Sequence, residues 1–405
     1  MPARHEVLTV EQARDAIIAG VHAAGDTERI ALGEAKGRFL AQDVRAQIDH
    51  PAFDNSAMDG YALNIADLVA HEQSLPIAGM SRCGDVPTLL TDGSVMRIFT
   101  GAPLPTGADA VVIQEEVKQA GAHAVVRAPI ESGANVRRQG EDFRLGDMLY
   151  SCGRRLSSFD IALLGTAGVA ELKVYRRARA LVLATGDELA EPGTALRPGQ
   201  IYESNRLAVA LQLQDLGVVV DDGGIVRDDV AALHKVLASA SDYDFVITSG
   251  GASVGDHDLV KQVFSEIGEI NFWKVKVKPG KPLAFGHIDQ NTHFFALPGN
   301  PVSSLITFKL FVEPAFYVWN HAAPTYLELK ANAVDGFRRS PGRTEFLRAH
   351  VRARQGLLYA RALSGQGSHM VGTLRETNAL IRIEAEDSGF DRGDQVTVIP
   401  LDLRF

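Results

Sequence analysis

The loop Ser249-Gly250-Gly251-Ala252-Ser253-Val254-Gly255-Asp256 follows an apolar stretch, DFVIT, and precedes an amphipathic one, DLVKQVFSEIG. A glycine-rich passage from strand to helix turns main-chain N–H groups toward one point, where the helix N-terminus also favours negative charge. Ser249, Gly250, Gly251, Ser253 and Gly255 are therefore candidates to hold a phosphate or oxyanion, with the two serines adding hydroxyl donors. The Gly-Lys-Ser/Thr ending is absent, so the loop is not a P-loop. A ligand-free turn between strand and helix would use the same residue types.

Three acidic pairs stand just after successive strand-like segments: Asp187/Glu188, Asp228/Asp229 and Asp256/Asp258. In a parallel sheet they converge on one edge, where carboxylates repel unless a cation or proton intervenes. A hard divalent ion such as magnesium, shared with substrate phosphates, would resolve the clash. Asp228 or Asp229 equally suits the N-cap of the helix that follows.

The segment Trp273-Lys274-Val275-Lys276-Val277-Lys278 alternates strictly, which predicts one strand with its lysines on a shared face. Such a row is commonly a solvated strand face. Here Pro279-Gly280-Lys281-Pro282 follows at once, so Lys274, Lys278 and Lys281 also form a candidate anion site. Leu297-Pro298-Gly299-Asn300-Pro301 brackets a Gly-Asn pair between prolines, leaving the chain few conformations before a helix. Pro298, Gly299, Asn300, Pro301 and Ser303 then offer a rigid turn and first-turn donors suited to an oxyanion.

These residues need a scaffold, and the pattern around them supplies one. From 178 to 326, strand-like and helical segments alternate, which predicts a mostly parallel, doubly wound α/β domain binding ligands beyond the carboxyl ends of its strands. Asn205 is placed to cap the helix NRLAVALQLQDLG. Near the start, Thr9 and Gln12 form a capping-box pattern before Ala13, Ala16, Ile17 and Val21 at helical spacing. A second helical segment, SSFDIALLGTAG, spans 157–168. Residues 1–45 and 147–177 are expected to form a helical linking domain, interrupted by a β-rich insertion at 46–146. Residues 327–405 return to short alternating strands, predicting a small β-barrel-like domain. The fold class is thus multidomain α/β plus β.

At 405 residues the chain is too long for one ordinary core. Its 46% hydrophobic and 22% charged residues are those of a globular protein. A formal charge of −9 argues against nucleic acid or an anionic membrane as principal partner. No apolar run approaches the ~18 residues of a membrane span, and the N-terminal segment lacks a secretion signal's apolar core. Cys83 and Cys152 have no paired spacing for zinc or redox chemistry. A cytoplasmic location is the expectation.

The second half of the chain is not alone in carrying polar islands. Asp54-Asn55-Ser56-Ala57-Met58-Asp59-Gly60, Thr100-Gly101-Ala102-Pro103 and Arg137-Arg138-Gln139-Gly140-Glu141-Asp142 each fit ordinary turns. Taken in order, FDNSAMDGYAL, FTGAPLPTGADAVVIQEE, NVRRQGEDF, ATGDEL, IYESNR, IVRDD, SGGASVGDHD, KPGKPLAFG and LPGNPVSS make the chain resemble the molybdopterin molybdenumtransferases, the MoeA family that includes the E domain of gephyrin. Ala252, in a loop where Val is frequent, is a conservative departure.

The resemblance implies that adenylylated molybdopterin is hydrolysed in a magnesium- and molybdate-dependent step, with molybdenum entering the dithiolene and AMP leaving. It carries Asp59, Thr100, Asp142, Glu188, Asp228, Asp258, Lys274, Lys278, Pro298 and Pro301 into the site. Glu188, Asp228 and Asp258 are the expected magnesium ligands or water-positioning groups, with Mg2+ the expected cofactor. It also implies a homodimer whose site joins one subunit's α/β domain to the other's insertion, and transient contact with the adenylyltransferase and apo-molybdoenzymes. The rival readings are the adenylyltransferase itself, which lacks the N-terminal islands, and a non-catalytic scaffold like gephyrin.

Overall fold

The structure, a computed structural model, describes residues 7–250, 259–324 and 326–401. Gly251, Ser253, Gly255 and Asp258 lie outside the described residues. The chain divides into two compact units: Met1–Glu28 with Gly37–Ala41 and Val174–Phe405, and Arg29–Lys36 with Gln42–Lys173.

The first unit is built on a six-stranded sheet in the order Val219–Val226, Arg179–Thr185, Phe245–Ser249, His293–Leu297, Pro282–His287 and Glu269–Lys274. The first four strands are parallel, Pro282–His287 runs against them and Glu269–Lys274 runs with them again, giving the mostly parallel sheet the alternation predicts. Side chains along each strand alternate between two cores. Val182, Ile247, Phe295 and Leu297 enter one with Ile17, Val209 and Phe316. Leu181, Leu183, Val246 and Phe294 enter the other with Leu233, Val263 and Phe264. Helices cover both faces because both faces are apolar.

Local capping follows the sequence. Thr9 and Gln12 close a full capping box on helix Val10–Gly20, which packs against helix Glu313–Trp319. Asp229 caps helix Val230–Leu237, accepting the Ala232 N–H at 2.8 Å. Asn205 does not cap. It is the first residue of helix Asn205–Leu216, and the buried Glu203 carboxylate instead accepts the Arg206 N–H at 2.7 Å.

The lysine segment is also not one strand. Strand Glu269–Lys274 ends on the α/β sheet, and Val277–Lys278 pairs in parallel with Thr344 and Glu345 of another sheet. Burial still alternates, with Val275 and Val277 buried and Lys276 and Lys278 exposed. Val275 and Val277 join the core, so the apolar positions anchor the crossing from sheet to sheet. The second sheet closes into a barrel: Thr344–Arg354, Leu357–Ala362, Leu329–Ala333, Gln395–Pro400, Ala379–Ile383 and back to Thr344–Arg354. Its interior holds Leu347, Val351, Ile381 and Val398.

The second unit has a six-stranded, largely antiparallel sheet ordered Ala110–Ile113, Gly60–Leu63, Val95–Ile98, Ser74–Ser81, His123–Val126 and Val117–Ala120. Gly60 sits where the strands crowd: a Cβ there would lie 1.9 Å from the Val112 carbonyl oxygen. Helix Ser158–Thr166 belongs to this unit and begins with a reciprocal Ser157–Asp160 box. Cys83 and Cys152 are both exposed. Among the described residues no helix is long and apolar enough to cross a membrane.

Candidate active site

In the first unit a cavity of about 990 Å³ lies beyond the carboxyl ends of the parallel strands. Glu188, Asp228, Ser249, Gly250, Lys278, Lys281, Pro298, Gly299, Asn300, Pro301 and Ser303 all line it. Two turns form its floor. At Gly250, φ is +89° and a Cβ would lie 2.6 Å from the Thr185 carbonyl oxygen, so no other residue fits. An added Cβ on Gly299 would sit 3.6 Å from the Gly250 Cα, so the chain at Gly250 abuts the LPGNP turn. From the adjoining helix, the Asn205 amide donates to the Gly299 carbonyl at 2.7 Å and pins the second turn. Sequence reading missed this role because a residue after Ser looks like a local cap, whereas its partner is 94 positions away.

Buried polar atoms at the wall await a partner. The Thr185 hydroxyl and the Asn205 carbonyl oxygen have no hydrogen bond among the described residues, and both residues line the cavity. Such atoms are costly unless something bonds them.

Cations and carboxylates occupy different parts of the wall. Lys278 pairs with the buried Glu345 at 2.8 Å, and Arg339 approaches the same carboxylate at 3.6 Å. Lys281 is exposed and makes no ion pair among the described residues. Lys274 is half-buried at the end of its strand and does not line the cavity. Asp228 exposes much of its surface, yet nearby protein partly dehydrates its carboxyl. That dehydration raises its pKa, and the charges of Glu188 and Asp187 raise it further, against a main-chain hydrogen bond from Asp187. Carboxylates that repel one another, all with hard oxygen donors, suit an oxygen-seeking divalent cation.

Three further groups reach the cavity from the barrel: Arg343, Gln366 and Ser368. The buried Arg348 holds the loop of Gln366 and Ser368, donating to the Gly365 carbonyl at 2.5 Å and the Gly367 carbonyl at 3.1 Å. The Gln366 side chain accepts the Arg348 N–H at 2.9 Å and donates to the Arg348 carbonyl at 2.9 Å. The only local signal was the glycine spacing of SGQGS, too common to single out.

In the second unit the three N-terminal islands meet. Asn55 and Ser56 pair with Arg137 and Val136, and the Ser56 N–H donates to the Ala102 carbonyl at 3.0 Å. Asp59 accepts the Thr100 N–H at 2.8 Å and the Thr100 hydroxyl at 3.0 Å. Those bonds hold its carboxyl below the usual range. Asp142 is exposed, its N–H donating to the His50 carbonyl at 3.0 Å.

Comparison with known proteins matches residues 8–168 to the MoeA N-terminal region (domain I and II), 181–317 to a probable molybdopterin binding domain and 330–401 to the MoeA C-terminal region (domain IV). A molybdopterin molybdenumtransferase of Haemophilus influenzae is 38% identical, over 97% of this chain and 98% of its own. The chain belongs to the molybdopterin molybdenumtransferase family. A second relative, molybdopterin molybdenumtransferase 2 of Mycobacterium tuberculosis, is 35% identical over 91% of this chain and 94% of its own. The crystal structure of a molybdopterin biosynthesis MoeA protein from Pyrococcus horikoshii superposes with a TM-score of 0.84 at 27% identity, covering 98% of this chain and all of that one. As a molybdopterin molybdenumtransferase relative throughout its length, the chain carries both the cavity and the N-terminal island within matched regions.

Proposed function

We propose that this chain acts in molybdenum cofactor biosynthesis, taking adenylylated molybdopterin and molybdate, inserting molybdenum and releasing AMP. The carrying observation is one cavity that joins cationic and hydroxyl groups to clustered carboxylates, in a chain similar to molybdopterin molybdenumtransferases over nearly its whole length. Water cleaves the phosphoanhydride of the adenylylated substrate. The P–O bond to AMP breaks, AMP departs, and the freed molybdopterin phosphate remains bound. This chemistry needs positioning and charge neutralisation more than covalent participation.

The chain's own groups divide that work. Lys281, Lys278 and Arg343 neutralise phosphate or molybdate oxygens at the barrel side, while Ser249, Ser303 and the Thr185 hydroxyl offer neutral donors. The abutting Gly250 and Gly299 turns let main chain approach the substrate closely. Glu188 and Asp228 would hold Mg2+, with Asp187 beside them, and the ion there would supply neutralisation of the phosphate charge. The dependence on magnesium rests on this donor set.

We also infer a homodimer, in which Asp59, Thr100 and Asp142 of one copy serve the cavity of the other. Its support is that two functional-looking islands occur in separate units of the chain. The activity is tested by supplying purified adenylylated molybdopterin, molybdate and magnesium. AMP release coupled to molybdenum incorporation is the expected result. AMP attachment from ATP would assign the chain to the adenylylation step, and neither reaction would leave a binding protein.

A further inference from the structure

One cluster of the first unit plays no part in the cavity. His22 follows the first helix, His287 ends strand Pro282–His287, and His293 opens strand His293–Leu297. His287 and His293 are cross-strand partners, and ligand nitrogens of the three rings lie within 4.8 Å of one another. None of the three lines the cavity.

Their hydrogen bonds settle which nitrogen carries the proton on each ring. His293 Nδ1 bonds the Asp244 carbonyl at 3.0 Å, and His287 Nε2 bonds the Gly20 carbonyl at 2.7 Å. His22 Nδ1 bonds the Gln290 carbonyl. A carbonyl oxygen only accepts, so each of these nitrogens is the protonated one and the other bears a lone pair. The remaining nitrogens are His22 Nε2, His287 Nδ1 and His293 Nε2. His293 Nε2 accepts the His22 main-chain N–H at 2.9 Å, whereas the other two have no donor among the described residues.

Histidines that ligate metals have this arrangement, one nitrogen donating to a carbonyl and the other facing the ion. Two of the rings are also kept neutral. Burial pushes His293 down to about 4, and burial lowers His287 against its bond to Gly20. Glu269 and Asp289 lie near His287, and Asp244, itself paired with Arg176, lies near His293.

We propose that His22, His287 and His293 form a binding site for one borderline divalent metal ion such as zinc, nickel or copper(II). Imidazole nitrogen selects these ions over magnesium, which prefers oxygen. An ion there would stand about 2.0–2.1 Å from each nitrogen, and the exposed His22 can adjust to meet it. His293 joins by exchanging the His22 N–H for the metal. The bound ion would clip the segment after the first helix to the antiparallel edge of the sheet, away from the cavity.

The test uses the full chain, freed of metal by chelation and held in excess magnesium to occupy oxygen sites. Calorimetric titration with zinc or nickel should show saturable uptake of one equivalent and a rise in Tm. His22→Gln and His287→Gln lie toward the surface, and each should weaken that uptake at least about tenfold with an unchanged circular dichroism spectrum. Copper(II) added to the wild type should give an electron paramagnetic resonance spectrum with imidazole nitrogen splitting that either variant loses. Absence of saturable uptake by the wild type overturns the proposal whatever the variants do. Equal uptake by the wild type and both folded variants overturns it too, leaving the rings as packing between strand, loop and helix.

Discussion

The cavity of the first unit and the polar island of the second both carry carboxylates, but their surroundings push those carboxylates in opposite directions. Asp59 accepts two hydrogen bonds from Thr100, which hold it well ionised. Asp54 is partly dehydrated, yet bonds from Gln139 and Arg138 more than offset this and lower its pKa. Asp228 has the reverse balance, raised by dehydration and then by Glu188 and Asp187. A carboxylate satisfied by its own fold is a placed acceptor, ready to orient a substrate group. One crowded by like charges is completed only by a cation or a proton.

The largest expected effect falls on the cavity's cations. Lys281→Ala should cut turnover about 10- to 100-fold, since a charge-assisted contact is worth roughly 1.5–3 kcal/mol. Its stability should barely change, because Lys281 makes no ion pair among the described residues. Lys278→Ala should lose comparable turnover and also up to about 1 kcal/mol of stability, as the buried Glu345 gives up a partner that is itself half-exposed. Steady-state kinetics beside denaturant unfolding separates the two. Equal unfolding curves for both variants would mean that the Glu345 pair contributes nothing.

Next in size is the link between the two regions. If one copy's island serves another copy's cavity, mixing inactive Asp59→Ala and Lys278→Ala chains should restore part of the activity through one intact site per heterodimer. Verified heterodimers without any recovered turnover would separate the two regions functionally.

A smaller effect reads the carboxylates themselves. An acid whose folded pKa is raised loses native stability as pH climbs from its unfolded value, about 3.9, through the folded one. At neutral pH the Asp228 charge is therefore a liability to the metal-free fold. Asp228→Asn should raise Tm, on the order of 1 °C, while activity falls. Magnesium should raise the wild-type Tm and leave that of the variant unmoved. A lower Tm in the variant without metal would contradict the repulsion inferred from Glu188 and Asp187.

The smallest effect is a control. Lys276 is exposed and stands outside the cavity lining. Lys276→Ala should change stability by less than ~0.5 kcal/mol and leave turnover near normal. A loss matching that of Lys281→Ala would return weight to a lysine row acting as one surface.

Features written over a few residues were legible in the sequence. The Thr9–Gln12 box and the Asp229 cap depend on hydrogen bonds that local spacing already encodes. The order of strands and helices, and nine motifs in succession, likewise pointed to the α/β cavity and to the family. What alternation could not determine was the sheet each lysine joins. Lys274 and Lys278 share a periodicity, yet one ends an α/β strand and the other lies on the barrel, because Val275 and Val277 are buried where the chain crosses between them. Nor did any local pattern mark Asn205 reaching Gly299, Arg343 and Ser368 entering the cavity, or three histidines from separate elements meeting at one edge. Those meetings are made by long-range packing, which brings together residues whose neighbours in sequence carry no sign of their partners.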